Sequence, residues 1–188
     1  MSAPAPAVFF DRDDTLMPNV PYLGDPAQVR ADPEAPATLA RLRAAGFRLV
    51  LLSNQSGVGR GYVTREQVAA VNAELFRQLG LDFDGVYLCY EDPNNPATLP
   101  ANGVSERKPS PVLAERAAAE LGLALAASAV VGDRLADVRC ARNAGMAAVL
   151  LTTNPGDRDF ETARSEADFV TNGLPAAADW ILARRKAK

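Results

Sequence analysis

A chain of 188 residues, 48% apolar and 23% charged, has the size and balance of one globular domain, residues 1–188, with room for a sizeable core. A net charge of −3 and a pI of about 5.1 weigh against a nucleic-acid partner, and no apolar run is long enough to span a membrane. The sequence has no histidine, which excludes histidine bases, nucleophiles and metal ligands, so any catalysis falls to carboxylates and lysine.

The opening MSAPAPA has no basic stretch followed by a long apolar one, so no signal peptide is expected and the protein reads as cytoplasmic. Residues 7–10 read as a first strand. The stretch VFFDRDDTL then sets three carboxylates, Asp11, Asp13 and Asp14, in four positions at its end. Taken alone this is either a polar turn or a site for metal or phosphate. Residues 33–45 read as a helix with Leu39 and Leu42 on one face and Gly46 as its stop. Residues 47–52 form a second apolar strand. Thr64 with Gln67 makes a capping box for a helix running to Leu79, with Val68, Val71 and Leu75 at helical spacing and Gly80 at its end.

Residues 85–89 read as a third strand. Ser110-Pro111 reads as a cap followed by proline at the first helical position, with the helix ending at Gly122. Residues 129–131, 146–151 and 169–170 are further strands, with helices over 135–144 and 175–185. Cys89 and Cys140 are too far apart to suggest a disulfide framework, and Cys140 reads as core. Trp180 and Ile181 read as packing the last helix onto the sheet. The basic cluster Arg184, Arg185 and Lys186 reads as a solvated helix end. Apolar strands alternating with helices imply an α/β fold, a parallel sheet covered on both faces.

Ligands of such sheets sit outside the carboxyl ends of the strands. The first strand ends in Asp11-Arg12-Asp13-Asp14-Thr15 and the second in Ser53-Asn54-Gln55-Ser56-Gly57. The loop after the third carries Arg107-Lys108-Pro109, and the fourth ends in Gly132-Asp133-Arg134 with Asp137 four residues past Asp133. Clustered carboxylates repel unless a cation joins them. Magnesium takes oxygen ligands and keeps waters that phosphate can displace. An aspartate can attack phosphorus, and a hydroxyl and a lysine can hold the non-bridging oxygens. The four strand ends together read as a phosphoryl-transfer site.

The ordered set Asp11-x-Asp13-x-Thr15, Ser53, Lys108 and Gly132-Asp133…Asp137 resembles the four motifs of the haloacid dehalogenase (HAD) superfamily of phosphatases, over nearly the whole chain. The resemblance implies a three-layer Rossmann-like fold. It implies Asp11 as nucleophile, Asp13 as general acid and then base, and Ser53 and Lys108 as holders of the phosphoryl group. Magnesium would sit on Asp11, the Asp13 carbonyl and Asp133, with Asp137 behind them or as an occasional ligand. Too little chain separates the first two motifs, and the second from the third, for a folded cap, so the site is expected to be open.

The stretches DRDDTL, PYLGDPAQV, LLSNQSGVGRGYVT and RKPSP resemble the capless branch that holds heptose bisphosphate phosphatases and histidinol-phosphate phosphatases. That likeness puts Thr15, Asn54, Gln55 and Arg60 on the substrate side, and Arg107 against a second phosphate or other anion. Asp14 stands where relatives have glycine and reads as a turn residue. The zinc ligands of the branch are replaced by Cys89, Glu91, Val104 and Glu106, a poor set for a closed zinc site, so no zinc is expected and loop 91–106 must be ordered another way. Residues 152–156, TTNPG, also depart from the heptose enzymes.

The expectation is a monomeric, magnesium-dependent phosphomonoesterase acting on a small phosphorylated metabolite. D-glycero-D-manno-heptose 1,7-bisphosphate, losing its 7-phosphate, or a similar sugar phosphate stands first, and histidinol phosphate is the alternative. No nucleic-acid or membrane partner is expected. A nucleic-acid 3′-phosphatase shares the chemistry, but the chain lacks a basic face interleaved with aromatics. A receiver-like phosphoacceptor would use an acid near Glu91 and Asp92 but leaves the Asp133/Asp137 pair unexplained. An inactive scaffold would not need all four motif residues.

Overall fold

The computed structural model describes residues 3–186; Met1, Ser2, Ala187, Lys188 and the side chain of Lys186 lie outside the described residues. The first two residues of MSAPAPA and the side chain of the last member of the basic cluster therefore fall outside it. In chain order the elements are β1 (Ala7–Phe10), α1 (Ala35–Ala44), β2 (Arg48–Asn54), α2 (Ser56–Gly59), α3 (Arg65–Leu79), β3 (Gly85–Cys89), α4 (Val112–Leu121), β4 (Ala129–Gly132), α5 (Leu135–Asn143), β5 (Ala147–Leu151), α6 (Phe160–Glu166), β6 (Phe169–Thr171) and α7 (Leu174–Lys186). Short 3-10 turns occupy Pro26–Gln28, Pro96–Thr98 and Leu125–Ala127.

The six strands form one sheet in the order β3-β2-β1-β4-β5-β6, and every pairing is parallel. All residues of β1, β4 and β5 are buried, as a sheet covered on both faces requires. Alternate residues feed two cores. Val8, Phe10, Leu49, Leu51, Val131 and Val149 pack with α1, α3 and α7 on one face. Phe9, Val50, Leu52, Val130, Ala148 and Leu150 pack with α4, α5 and α6 on the other. Cys140 belongs to the second core, and Ile181 to the first. Trp180 packs against the first core and stacks on Phe169, ring centroids 5.4 Å apart. Among the described residues no helix is long and apolar enough to cross a membrane.

Local chemistry sets the element ends. Thr64 and Gln67 exchange hydrogen bonds in a full capping box at α3, and Gly80, with φ 67°, closes it in the left-handed region. The α4 start differs from the sequence reading by one position. Pro111 stands at the cap and the helix opens at Val112, because the Ser110 hydroxyl reaches only the Val112 amide, at 3.4 Å. β2 runs on through Ser53 and Asn54, since Leu88 and Cys89 of β3 pair with them. The short helices α2 and α6 are not anticipated by the sequence pattern. Between β1 and β2, and between β2 and Lys108, the helices and strand belong to the layers of the sheet, so the described residues hold no separate cap.

The start of each outermost strand is tied to its inner neighbour by an aspartate. Asp84, just before β3, donates its amide to Leu49 O at 2.8 Å and accepts the Leu49 amide on Oδ2 at 2.8 Å. Asp168, just before β6, does the same for Ala148, at 2.9 and 2.8 Å. Each carboxylate satisfies a strand amide that the ladder does not reach. Asp84→Ala is expected to lower stability by about 1–3 kcal/mol by orphaning the Leu49 amide. Urea denaturation checks it, and an unchanged midpoint would contradict it.

Candidate active site

The chain lays β1, β2 and β3 outward in one direction, then returns to pair β4 with the free side of β1 and continues the other way. The carboxyl ends of β1 and β4 therefore border the point where strand order reverses, the place where open α/β sheets bind ligands. Phe10 pairs with Val131, and the Asp11 amide donates to Val131 O at 3.0 Å. Asp11 thus lies beside Gly132-Asp133. Glycine is required at 132, since a Cβ there would lie 2.4 Å from Asp137 Cγ. Asp137 sits in the first turn of α5 and accepts the Arg134 amide on Oδ2 at 3.1 Å.

Lys108 enters from the loop before α4 and is 4% exposed. Its Nζ donates to Asp11 Oδ1 at 2.9 Å, Asp137 Oδ1 at 2.5 Å and Leu52 O at 2.8 Å. Asn54 fixes the Lys108 backbone by accepting its amide at 3.0 Å and donating to its carbonyl at 3.2 Å. Burial alone would depress the ammonium; the charges of Asp11 and Asp137 outweigh it and hold Lys108 above the usual lysine range.

Asp11, Asp133 and Asp137 each bring a carboxylate oxygen within 4.8 Å of one another. Asp133 is 1% exposed, and its Oδ1 has no hydrogen-bond partner among the described residues. Its Oδ2 meets Asn154 Nδ2 at 3.4 Å and the half-exposed Arg134 at 3.6 Å. Burial, then the charges of Asp137 and Asp11, push the Asp133 carboxyl up to about 8. An orphaned buried oxygen in an all-oxygen donor set fits a hard divalent cation such as magnesium.

The Asp13 carboxylate is not part of this trio. It accepts Arg12 Nε at 3.1 Å, Arg12 Nη2 at 3.2 Å and Gln55 Nε2 at 2.9 Å. Gln55 Nε2 also donates to Ser53 Oγ at 3.1 Å. Asp14 adopts φ 55°, which explains a glycine-like position, and an aspartate is tolerated because its Oδ1 accepts the Asn19 amide at 3.0 Å. Thr15 is buried with an unpartnered hydroxyl.

A cavity of about 410 Å³ opens over these groups, lined by Asp11, Asp13, Asn54, Gln55, Arg107, Lys108 and Asp137 among the expected residues. Thr15, Ser53 and Asp133 are buried and do not line it. Arg60 does not line it either. It donates to Tyr22 OH at 2.7 Å and pairs with Asp92 at 3.3 Å, joining three loops at the rim. Arg107 Nη1 is buried without a partner. Loop 91–106 is closed by Glu91, 5% exposed, whose carboxylate accepts the Ser105 hydroxyl at 2.5 Å and the Glu106 amide at 2.6 Å. Ser105 Oγ in turn accepts the Arg107 amide at 3.2 Å.

Sequence reasoning gave no role to Arg12, Asn72 or Tyr22 and did not see the Glu91 clasp. Arg12 carried one signal: a cation enclosed by aspartates directly after a buried strand. The acids that a receiver-like reading would use are engaged, Glu91 in its clasp and Asp92 with Arg60.

Comparison with known proteins gives concordant results. The HAD-hydrolase-like family model matches residues 105–177. A D-glycero-D-manno-heptose-1,7-bisphosphate 7-phosphatase of Thermosynechococcus vestitus is 34% identical over 95% of this chain and 96% of its own length. A D-glycero-beta-D-manno-heptose-1,7-bisphosphate 7-phosphatase of Mesorhizobium japonicum is 37% identical over 76% of this chain and 67% of its own. The crystal structure of D,D-heptose 1,7-bisphosphate phosphatase from B. bronchiseptica, complexed with magnesium and phosphate, superposes with a TM-score of 0.79 at 26% identity, covering 95% of this chain and 99% of that one.

The raised Asp133 carboxyl has a thermodynamic consequence. Between the ordinary carboxyl range and about 8, the folded state holds a proton that the unfolded chain has released. Metal-free protein is therefore expected to lose stability as pH rises through that window. Magnesium competes with that proton, so the rise in Tm on adding magnesium should grow towards pH 8. Asp133→Asn should flatten both trends. Thermal melts across this range, with magnesium or EDTA, check it; a magnesium effect independent of pH would contradict it.

Proposed function

Because this chain belongs to the heptose bisphosphate phosphatase family of HAD-like hydrolases and is a phosphatase, we propose that it removes the 7-phosphate of D-glycero-D-manno-heptose 1,7-bisphosphate. The observation that carries the substrate reading is a pair of adjacent cations on one cavity wall. Lys108 is bound to Asp11, and the neighbouring Arg107 has a buried Nη1 with no hydrogen-bond partner among the described residues. A substrate with two phosphates supplies an anion for each.

In this reading an Asp11 carboxylate oxygen attacks the phosphorus, and the bond to the sugar oxygen breaks. Asp13 gives its proton to the departing oxygen. The Asp13 carboxylate then takes a proton from water, which attacks the phosphorus of the aspartyl-phosphate and frees Asp11 and inorganic phosphate. Lys108 and the Ser53 hydroxyl hold the non-bridging oxygens, Thr15, Asn54 and Gln55 stand on the substrate side, Asn54 fixes the Lys108 backbone, and Gln55 bridges Asp13 and Ser53. Asp11, Asp133 and the Asp13 carbonyl would hold magnesium, with Asp137 beside them. When bound, magnesium neutralises the carboxylates and the phosphate they meet.

Loop 91–106 is read as ordered without zinc. Both Glu91 oxygens are already engaged, and Glu106 pairs with Arg116. Cys89 is buried, and burial, with the Glu91 charge beside it, pushes its thiol up to about 12.

Phosphate release from heptose 1,7-bisphosphate, histidinol phosphate and a 3′-phosphorylated oligonucleotide tests the assignment. Turnover is expected to need magnesium, to favour the heptose and to leave its 1-phosphate in place. A preference for either of the others would overturn the substrate. Asp11→Asn should fall below about 1% of wild type, since a covalent step is lost. A zinc-selective chelator should leave Tm and activity unchanged; a clear fall in Tm would show that the loop needs zinc.

A further inference from the structure

We propose that Arg12 is the positioning residue for Asp13, holding the proton-transfer carboxylate in place from an anchor on α3. The proposal rests on the reading of Asp13 as acid and base.

Arg12 is 1% exposed, among the largest fully buried side chains of the protein. A guanidinium stays charged at any working pH, and burying it is expensive unless its donors are matched. An aliphatic side chain would fill the same space without that penalty, so packing alone does not account for arginine. Among the described residues its one ion-pair partner is Asp13. Nε and Nη2 meet Oδ1 and Oδ2 at 3.1 and 3.2 Å, the paired geometry that fixes the plane of a carboxylate as well as its distance. Nη2 also donates to Gln55 Oε1 at 2.9 Å, and the Gln55 amide returns a bond to Asp13 Oδ2 at 2.9 Å.

The remaining arm supplies the anchor. Nη1 donates at 3.1 Å to Asn72 Oδ1, and Asn72 is 4% exposed on α3. Val71 and Leu75 on either side of it are fully buried in the first core. A rigid helix thus holds Asn72, Asn72 holds Arg12, and Arg12 holds Asp13. A lysine at position 12 is a point donor and cannot engage both carboxylate oxygens in this way.

A double-mutant cycle separates positioning from mere structural support. Arg12→Met is expected to lower kcat on the sugar phosphate by about ten- to a hundred-fold, within what one positioned acid–base group contributes, with KM nearly unchanged. Arg12→Lys should recover little of the loss. In an Asp13→Asn background, Arg12→Met should change kcat by less than about two-fold, because the group it acts through is gone. A loss of full size in that background, or wild-type kcat in Arg12→Met, would overturn the proposal. An Asp13→Asn enzyme of normal kcat would overturn it together with the acid–base assignment, which distinguishes the two failures. Should Arg12→Met not fold, Asn72→Ala serves in the same cycle, with a smaller kcat loss that again vanishes beside Asp13→Asn.

Discussion

One ammonium faces three buried carboxylates. Lys108 Nζ lies within 2.9 Å of both Asp11 and Asp137, while Asp133, close to both acids, keeps an oxygen with no hydrogen-bond partner among the described residues. At such separations two carboxylates repel by roughly 3–4 kcal/mol even at an effective dielectric of about 20. Lysine neutralises one charge, and Arg134 is half exposed and screened by water. With all three carboxylates ionised, as they are once a cation displaces the Asp133 proton, the surplus is about that of one divalent cation. The site is therefore assembled at the expense of the metal-free fold, and the sheet compels it. Parallel pairing of β1 with β4 brings Asp11 beside Asp133, and the first turn of α5 brings Asp137 over Gly132.

Everything else either braces that cluster or shapes the approach to it. Asn54 grips the Lys108 backbone from β2, and Glu91 closes the long loop that delivers Arg107 and Lys108. In place of a cap, Arg60 joins the Tyr22 loop to Asp92 at the rim. Gly59 allows this closeness, since a Cβ there would lie 2.3 Å from Tyr90 O. The resulting cavity is open, and its walls carry Arg107 and Lys108, the two donors that a doubly phosphorylated sugar would meet.

Much of this was legible in the sequence, for a physical reason. Strands such as AVFF are apolar because they are buried on both faces, and glycines at 80 and 122 stop helices in the left-handed region, so alternation and order could be read directly. Asp11 and Asp133 follow strands, Lys108 precedes a helix and Asp137 lies in the first turn of one, which is why topology alone brings them together. The ends of β2 were harder, because Ser53 and Asn54 look like loop residues and become strand only by pairing with β3. α2 is a single turn, and α6 buries only Phe160 and Ala163, so neither carries a readable period. Arg12 carried only the signal of its flanking aspartates, because an arginine in a turn reads as solvated until Asn72, 60 residues away, is seen beside it. The Glu91 clasp failed for the same reason: Ser105 and Glu106 are distant partners.

The most direct test of this account is acid-quenched turnover followed by intact-mass and peptide analysis. Wild-type protein mixed with substrate and magnesium should carry one phosphoryl group, located to the peptide containing Asp11, and Asp11→Asn should carry none. Turnover without a trapped phosphoryl group under rapid quench, or a label on another residue, would contradict the covalent role of Asp11 and the site built around it.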